Sequence, residues 1–583
     1  MANKRKKKRV LNARVVWLLL VVISIIFFIS FVRMPMFPIR WSIMVLIGLL
    51  IMLAFTLFLA TVAYKNLFVK IFEFVLCIVL AVGSVIMPRI ESQITNLFNG
   101  ATGNGTVIGF YVVNAEYKQN HSDVFSSSEV SEDIQDYADS VFITSIAVDS
   151  TNQNYALQQV QTDLGQNVSV IDRSTLLAAV DSLYNNEGQV MLLSNTMLSM
   201  ITETEGYEDF EDNVTMITSY TKEVETEVEK TDVSLTTQPF CIFFGGNDEE
   251  GDLYTEGRTD VDMLVTVNPN SHQIAIVSFP RDSYVANPYY SQYDGYDKLT
   301  HLGLAGISNT LAGLNQVLGL DIINNYVIIN FTTYRQIIDA IGGVDVENDI
   351  EFTALDNEYF PQGTIHLEGE YALMYVRERY AFVDGDFERN YHQQIVMKAM
   401  IQKLCSPEII VHFDTLLSSL QGTFMTNISS ESIYALCKKQ LDENISWNIV
   451  NYHVTGDASG YAYCCAEGDY RSVVYPYDNQ IEFVSNVMKS VINGDIVTQE
   501  ELPEGEFYSS NTNTNDYYNS DTYYNADDSY NGYNSYEDNN YYDDNYYEDN
   551  SYYDENNGYE ENNDDSTFNE NTDFNYVYGD YGN

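Results

Sequence analysis

Three apolar runs open the chain, Val15 to Val32, Trp41 to Ala63 and Leu67 to Met87. Each is long enough to cross a bilayer as a helix. The third is the least clean, carrying Lys70 and Glu73 near its start. From Val107 to Lys230 the apolar runs shorten. Val141–Val148 and Val168–Ile171 predict strands, and Thr175–Leu183 and Leu193–Ile201 predict helices, the second with Leu193, Met197, Met200 and Ile201 on one face. Glu223–Asp232 is charged and aperiodic, a linker. Between Pro239 and Gly494 strands and helices alternate. Phe240–Phe244, Met263–Val267, Gln273–Phe279, Tyr326–Phe331 and Ile445–Val454 predict strands, and Leu302–Leu318, Tyr334–Ile341 and Ser432–Leu441 predict helices. That alternation points to an α/β layered domain. The expected organisation is a basic N-terminus (1–14), three membrane helices (15–89), a small α+β accessory domain (105–235), the α/β domain (236–496) and a tail (505–583).

Charge sharpens this outline. The formal net charge is -54, yet seven basic residues fall within the first fourteen positions. The positive-inside rule then keeps the N-terminus in the cytoplasm, and three crossings put everything after Arg89 outside the cell. The turn bearing Lys65 and Lys70 suits the inner face. The first run lacks a small-residue cleavage site and reads as an anchor. The tail beyond Gly505 has no Lys or Arg and 20 Asp or Glu among Tyr, Asn and Ser. It has too little aliphatic surface to fold alone, so a solvated, disordered tail is expected. Nucleic-acid binding is excluded, because it needs a broad basic surface. The six cysteines have no metal-ligand spacing and no His cluster beside them, which argues against zinc. Their pairing is left open by the sequence.

Against this acidity, the stretch Tyr375 to Gln394 (YVRERYAFVDGDFERNYHQQ) concentrates arginine. It reads as a strand end, a loop and the start of a helix. Period-2 alternation would put Arg377 and Arg379 on one strand face. Asp386 falls at the expected helix start, with Arg389 and Gln393 at i, i+4 spacing. Three converging guanidinium forks suit phosphate oxygens. The competing reading is a surface patch paired with Glu378 and Asp384. Only seven arginines follow Phe240, and five of them, Arg258, Arg281, Arg377, Arg379 and Arg389, stand in motif-like contexts.

Those contexts form an ordered set: Gly246-x-Asp248, Arg258-Thr259-Asp260-Val261, Pro280-Arg281-Asp282 and Asp297-Lys298-Leu299-Thr300-His301. Gly342-Gly343-Val344-Asp345-Val346, Leu367-x-Gly369 and Arg377-Glu378-Arg379 follow, ahead of Asp386-x-x-Arg389-x-x-x-Gln393. The set resembles the LytR–CpsA–Psr family of Gram-positive cell-envelope enzymes, in particular capsule-type members with three N-terminal spans and an accessory domain. The resemblance implies an α-β-α sandwich that holds a polyprenyl-linked phosphate or pyrophosphate. It implies transfer of a glycopolymer, such as teichoic acid or capsular polysaccharide, to peptidoglycan. By the same resemblance Asp248 and Asp260 would bind Mg2+. Arg258, Arg281, Arg377, Arg379, Arg389 and Gln393 would hold the pyrophosphate, Lys298 would lie near the head group, and Asp386 would orient Arg389. Arg281, Arg258 and Asp248 are the expected catalytic residues, with the general base left open.

Magnesium takes one or two carboxylates plus phosphate oxygens and water, which two aspartates from separate loops supply. An apolar groove would take the lipid chain, and Val265, Val267, Ile274 and Ile276 are candidates to line it or else to pack the core. Two other functions compete: a polyprenyl-phosphate-sensing regulator without catalysis, and a wall-associated adhesin acting through the tail. Neither needs Asp248 and Asp260 together.

Overall fold

The computed structural model describes residues 13–63, 66–99, 105–222, 234–247, 253, 256–293, 295–355, 357–382, 385–406, 409, 416 and 424–508. Asp248, Asp384 and the tail beyond residue 508 lie outside the described residues. Helices α1 (Ala13–Arg33), α2 (Ile39–Val62) and α3 (Leu67–Asn99) follow the three apolar runs. All three are long and apolar enough to cross a membrane, with α3 qualifying over Leu67–Ile90.

The next segment builds a five-stranded sheet from β1 (Thr106–Val113), β2 (Val141–Thr144), β3 (Ser169–Asp172), β4 (Val190–Ser194) and β5 (Val214–Lys222), in the order β3-β2-β4-β1-β5. Helices α4 (Ile146–Leu164), α5 (Leu176–Tyr184) and α6 (Leu198–Thr202) accompany it. Two expectations change here. Ile146 and Val148 belong to α4, since β2 ends at Thr144. Leu193 belongs to the fully buried β4 and not to one helix with Ile201. An apolar run buried on both faces carries no period to separate strand from helix.

A six-stranded sheet carries the second half: β6 (Phe240–Asn247), β7 (Val261–Asn268), β8 (Gln273–Phe279), β9 (Ile323–Asn330), β10 (Phe424–Thr426) and β11 (Asn448–His453), ordered β10-β9-β6-β7-β8-β11. β7 runs antiparallel to both β6 and β8, while β9 is parallel to β6 and β11 to β8. Strand periodicity decides which side chains meet which helix layer. Phe243, Leu264, Ala275 and Val277 face α7 (Ile307–Leu318) and the C-terminal α12 (Asp478–Asn493). Met263, Val265, Val267, Ile274 and Ile276 face Met397 of α10 (Asp386–Leu404) and Ile433 of α11 (Ser430–Glu443). Helices α8 (Phe331–Ala340) and α9 (Gly369–Arg377) complete that layer through Ile337, Ile338, Leu373 and Val376. The result is helix, sheet, helix. Val265, Val267, Ile274 and Ile276 are core residues under this layer, not the wall of a groove.

The arginine-rich stretch also differs from expectation. Tyr375 to Arg377 is the last turn of α9, so Arg377 and Arg379 share no strand face. Ala372, Leu373, Tyr375 and Val376 are buried, a helical spacing. The chain then turns, and Gly385, at φ 49°, makes the sharp entry into α10 that an L side chain would resist. After β11 the chain adds a hairpin, β12 (Gly456–Cys464) and β13 (Asp469–Pro476), before α12.

Candidate functional site

The antiparallel register puts the end of β6, the start of β7 and the end of β8 together: Gly246 pairs with Val261, and Asp262 with Phe279. Asp260, one residue before β7, is fixed there by its amide, which donates to the Gly246 carbonyl at 2.7 Å. Arg281 lies just beyond β8, and its Nη1 donates to Asp260 Oδ1 at 2.6 Å. Burial alone would raise the Asp260 carboxyl, but Arg281, with Arg258 and Arg389 behind it, holds it below the ordinary carboxylate range. Arg281 responds in kind. Burial would lower it, yet Asp260, Asp282 and Asp386 keep it above the usual arginine value.

Arg389, in the first turn of α10, is buried against this pair. Its Nη2 is in close ion contact with Asp386 Oδ1, so Asp386 does sit beside Arg389. Burial lowers Arg389 below the ordinary range; Asp386 opposes that and Arg281 adds to it. Asp386 is raised mainly by burial, with Arg389 opposing and Asp282 contributing. Arg379 acts on both groups and stacks over Tyr380, 4.7 Å from its ring centre. Among the described residues, Arg281 Nε, Arg389 Nε and Gln393 Oε1 are buried without a hydrogen-bond partner. Buried guanidinium donors left unused are rare and costly, so they call for an acceptor.

The remaining expected residues surround this cluster. Arg258 forks onto Glu203, through Nη1 to Oε2 at 2.9 Å and Nη2 to Oε1 at 2.5 Å. Lys298 pairs with Asp282 at 2.9 Å, one residue from Arg281. Arg377 is exposed and lies over Phe331, 4.5 Å from the ring centre. Gln393 donates to the Val376 carbonyl at 3.3 Å. Among the described residues, Glu378 pairs with none of the arginines. It is buried and accepts the amides of Leu355, Tyr380 and Ala381, which shapes the loop after α9. The competing reading, a patch paired with Glu378, is not what the described residues form.

A pocket that encloses about 50 Å³ and opens to solvent adjoins Gln393. Its walls are apolar, with Phe244, Val261, Met263, Ile329, Leu373 and Met400 prominent among them. Ile329, Leu373, Val376 and Met400 also share a cluster with Met34 and Met36, from the loop joining α1 to α2. The pocket wall is thus continuous with side chains beside the first two membrane-length helices.

Three contributors were not legible in the sequence. Asp262 is fully enclosed, accepts a hydrogen bond from Thr259 at 2.6 Å and has its pKa pushed up to about 8 by burial, with Asp260 adding. The sequence predicts the strand only from Met263, so neither the place of Asp262 in β7 nor its burial was visible. Glu203 and Glu256 come from stretches without a motif. Glu256 accepts from Thr106 at 2.6 Å and from Asn152 at 2.8 Å, tying the Arg258 loop to the first sheet.

The family model described as LytR_cpsA_psr matches residues 207–475. A curated relative from Bacillus anthracis, a polyisoprenyl-teichoic acid–peptidoglycan teichoic acid transferase TagU, is 34% identical over 207 residues, which is 35% of this chain and 66% of the relative. The chain therefore spans just under two thirds of that protein. The TagU of Bacillus mycoides is 32% identical over 222 residues, covering 38% of this chain and 70% of the relative. The crystal structure of Bacillus subtilis TagV aligns over 44% of this chain and 99% of its own, at 25% identity and a TM-score of 0.36.

Proposed function

The chain belongs to the LytR–CpsA–Psr family, and from that premise we propose that it is a membrane-anchored transferase moving a glycopolymer from a polyprenyl-pyrophosphate carrier to peptidoglycan. The observation that carries the reading is the set of buried, unspent guanidinium donors of Arg281 and Arg389 around Asp260. Two cations this close, one lowered by burial, are stabilised by an anion with several acceptor oxygens. A diphosphate has them. Arg379 and Arg258 would close on its flanks, with Lys298 and Arg377 farther out. Gln393 offers a carbonyl oxygen to a hydroxyl or a protonated phosphate.

The pocket supports a lipid-linked donor over a free nucleotide, because its walls are apolar and adjoin the α1–α2 loop. That contact also supports three crossings. Met34 and Met36 precede α2, Met87 and Ile90 lie near the end of α3, and all four pack against the same cluster of the α/β half. Both loop and helix end therefore lie on one side of the bilayer, the outer one if the basic N-terminus is cytoplasmic.

The Asp260 carboxylate is a hard oxygen donor held in its charged form, which fits Mg2+. Asp260 and Asp248 would hold the ion, and it would neutralise charge on the phosphate oxygens. Phosphoryl transfer needs mostly positioning and charge stabilisation from the protein. Arg281 would stabilise charge on the leaving phosphate, and Arg258 would share it. Asp262 is protonated at neutral pH, so it adds no negative charge beside Asp260.

The test is transfer of a polyprenyl-pyrophosphate-linked teichoic acid or capsular glycan to peptidoglycan by the purified full chain. Wild type should transfer, and Arg281→Ala should lose about 100- to 1,000-fold in turnover. Full turnover by Arg281→Ala would overturn the site. Binding of the lipid pyrophosphate without any transfer would instead favour the sensing regulator.

A further inference from the structure

We propose that Asp297, His301 and Cys464 form a binding site for one divalent transition-metal ion of the zinc class, separate from the phosphate cluster. A carboxylate oxygen of Asp297, a ring nitrogen of His301 and Sγ of Cys464 all lie within 4.8 Å of one another, and all three residues are buried. Asp297 and His301 are brought together by the single helical turn Leu299–Leu302. Cys464 arrives from the end of β12, far downstream, which is why cysteine spacing in the sequence argued against zinc.

The hydrogen bonding around His301 is what points to a ligand. Nδ1 lies 2.5 Å from Asp297 Oδ1, and Nε2 lies 3.3 Å from Glu467 Oε1. A neutral imidazole has one N–H and cannot donate to both carboxylates. Either an imidazolium or a metal on Nδ1 resolves the conflict, and the titration below separates the two. With the metal, the ring proton resides on Nε2 and donates to Glu467, giving the carboxylate–histidine–metal arrangement that orients a ligating His. Glu467 is itself anchored by an ion contact with Arg471. Asp297 Oδ1 accepts the Lys298 amide at 3.0 Å and Oδ2 the Ala466 amide at 2.7 Å, so a metal would take the remaining lone pair of Oδ1, the one that faces His301. The Cys464 thiol makes a long contact, 3.9 Å, to the Ala462 carbonyl and also meets the Lys298 backbone.

The charges balance. Metal binding displaces the thiol proton of Cys464 to solvent, while the His301 proton moves between ring nitrogens. One dication then faces one thiolate and one carboxylate, and the buried set is neutral. Thiolate, imidazole and carboxylate together are a zinc-class donor set. At metal–ligand distances of about 2.0–2.3 Å the Nδ1–Oδ1 gap opens to roughly 3.3 Å.

The ion would brace the wall of the phosphate cluster. The amides of Leu299 and Thr300 donate to the carbonyls of Ser283 and Arg281 at 2.8 and 2.9 Å, and the Val474 amide of β13 donates to Asp282 at 2.9 Å. Asp297 and Cys464 thus belong to the two segments that flank Arg281, and one ion would staple them together.

The experiment is Co2+ titration of the purified full chain in detergent after chelator treatment, read by absorption. One equivalent should bind with a thiolate-to-cobalt charge-transfer band in the near ultraviolet. Cys464→Ser should lose the band, the neighbouring Cys465→Ser should keep it, and Glu467→Gln should bind about 10- to 100-fold more weakly. Absence of a band in wild type would overturn the proposal whatever the variants do. So would a band of equal intensity in a folded Cys464→Ser.

Discussion

Asp262 shows what a single residue's surroundings can do to its chemistry. Two positions after Asp260, just inside β7, it is protonated at neutral pH while Asp260 is charged. The difference is one of company: Asp260 meets Arg281, whereas Asp262 meets Thr259 and apolar packing. Its folded pKa lies above the unfolded carboxylate value, so the folded state binds the extra proton between roughly pH 4 and 8. Its contribution is full below the unfolded pKa and is lost as pH rises through about 8. Asp260 is depressed, so its contribution is lost only in stronger acid, and the two windows do not overlap. Asp262→Asn should therefore flatten the fall in melting temperature between pH 6 and 9, leaving the variant a few degrees more stable than wild type at pH 9. Parallel pH curves for the two proteins would show that Asp262 ionises normally.

Arg389 was legible in the sequence because its motif spacing survives in the fold. Asp262 was not, because nothing local distinguishes a buried aspartate from an exposed one at a strand start. Arg377 shows the opposite error. Its alternation with Arg379 suggested a strand, but Ala372, Leu373, Tyr375 and Val376 place it at a helix end. There the cation complements the helix dipole.

At the scale of elements, the loop before β7 is held from outside its own sheet. Glu256 is clamped by Thr106 and Asn152, and Arg258 forks onto Glu203, all from the segment that builds the first sheet. No motif in that segment announced this, since the contacts join residues far apart in sequence. Glu203 is half exposed, so its pair with Arg258 contributes at most about 1 kcal/mol. A phosphate reaching Arg258 has to displace it. Glu203→Gln should accordingly tighten binding of a polyprenyl pyrophosphate by up to about fivefold, measured by calorimetry; weaker binding would mean that Glu203 positions Arg258 productively.

The pocket between β6, β9 and the α8–α10 layer makes its own prediction. Leu373→Trp should fill it, at a packing cost of about 1–3 kcal/mol. Affinity for a long-chain polyprenyl pyrophosphate should then fall at least tenfold, with inorganic pyrophosphate unaffected. Equal losses for both ligands would place the lipid elsewhere. The alternating positions Val265, Val267, Ile274 and Ile276 left groove and core both open, because a sheet buried on both faces offers two apolar rows and only helix placement decides which is covered.

For the whole molecule, the broad plan was readable: membrane-length helices from apolar runs, and a layered α/β half from alternating patterns. Hydrophobic length and period are local properties, whereas the meeting of Asp260, Arg281 and Arg389 depends on sheet order. The contact of Met34 and Met36 with the α/β half could not be inferred from any window of sequence. It predicts that reporters fused after Arg33 and after Ile90 register the same, outer side, with the turn near Lys65 on the inner side. Opposite sides for the first two would break the three-span arrangement.

The central claim is that Arg281 and Arg389 form a diphosphate clamp beside Asp260. Its most direct test is the affinity of the detergent-solubilised full chain for a polyprenyl pyrophosphate with Mg2+ present. Arg281→Ala and Arg389→Ala should each weaken binding by about a hundredfold, and Asp260→Asn should remove the dependence on Mg2+. Unchanged affinity in both arginine variants, with the fold retained, would contradict it.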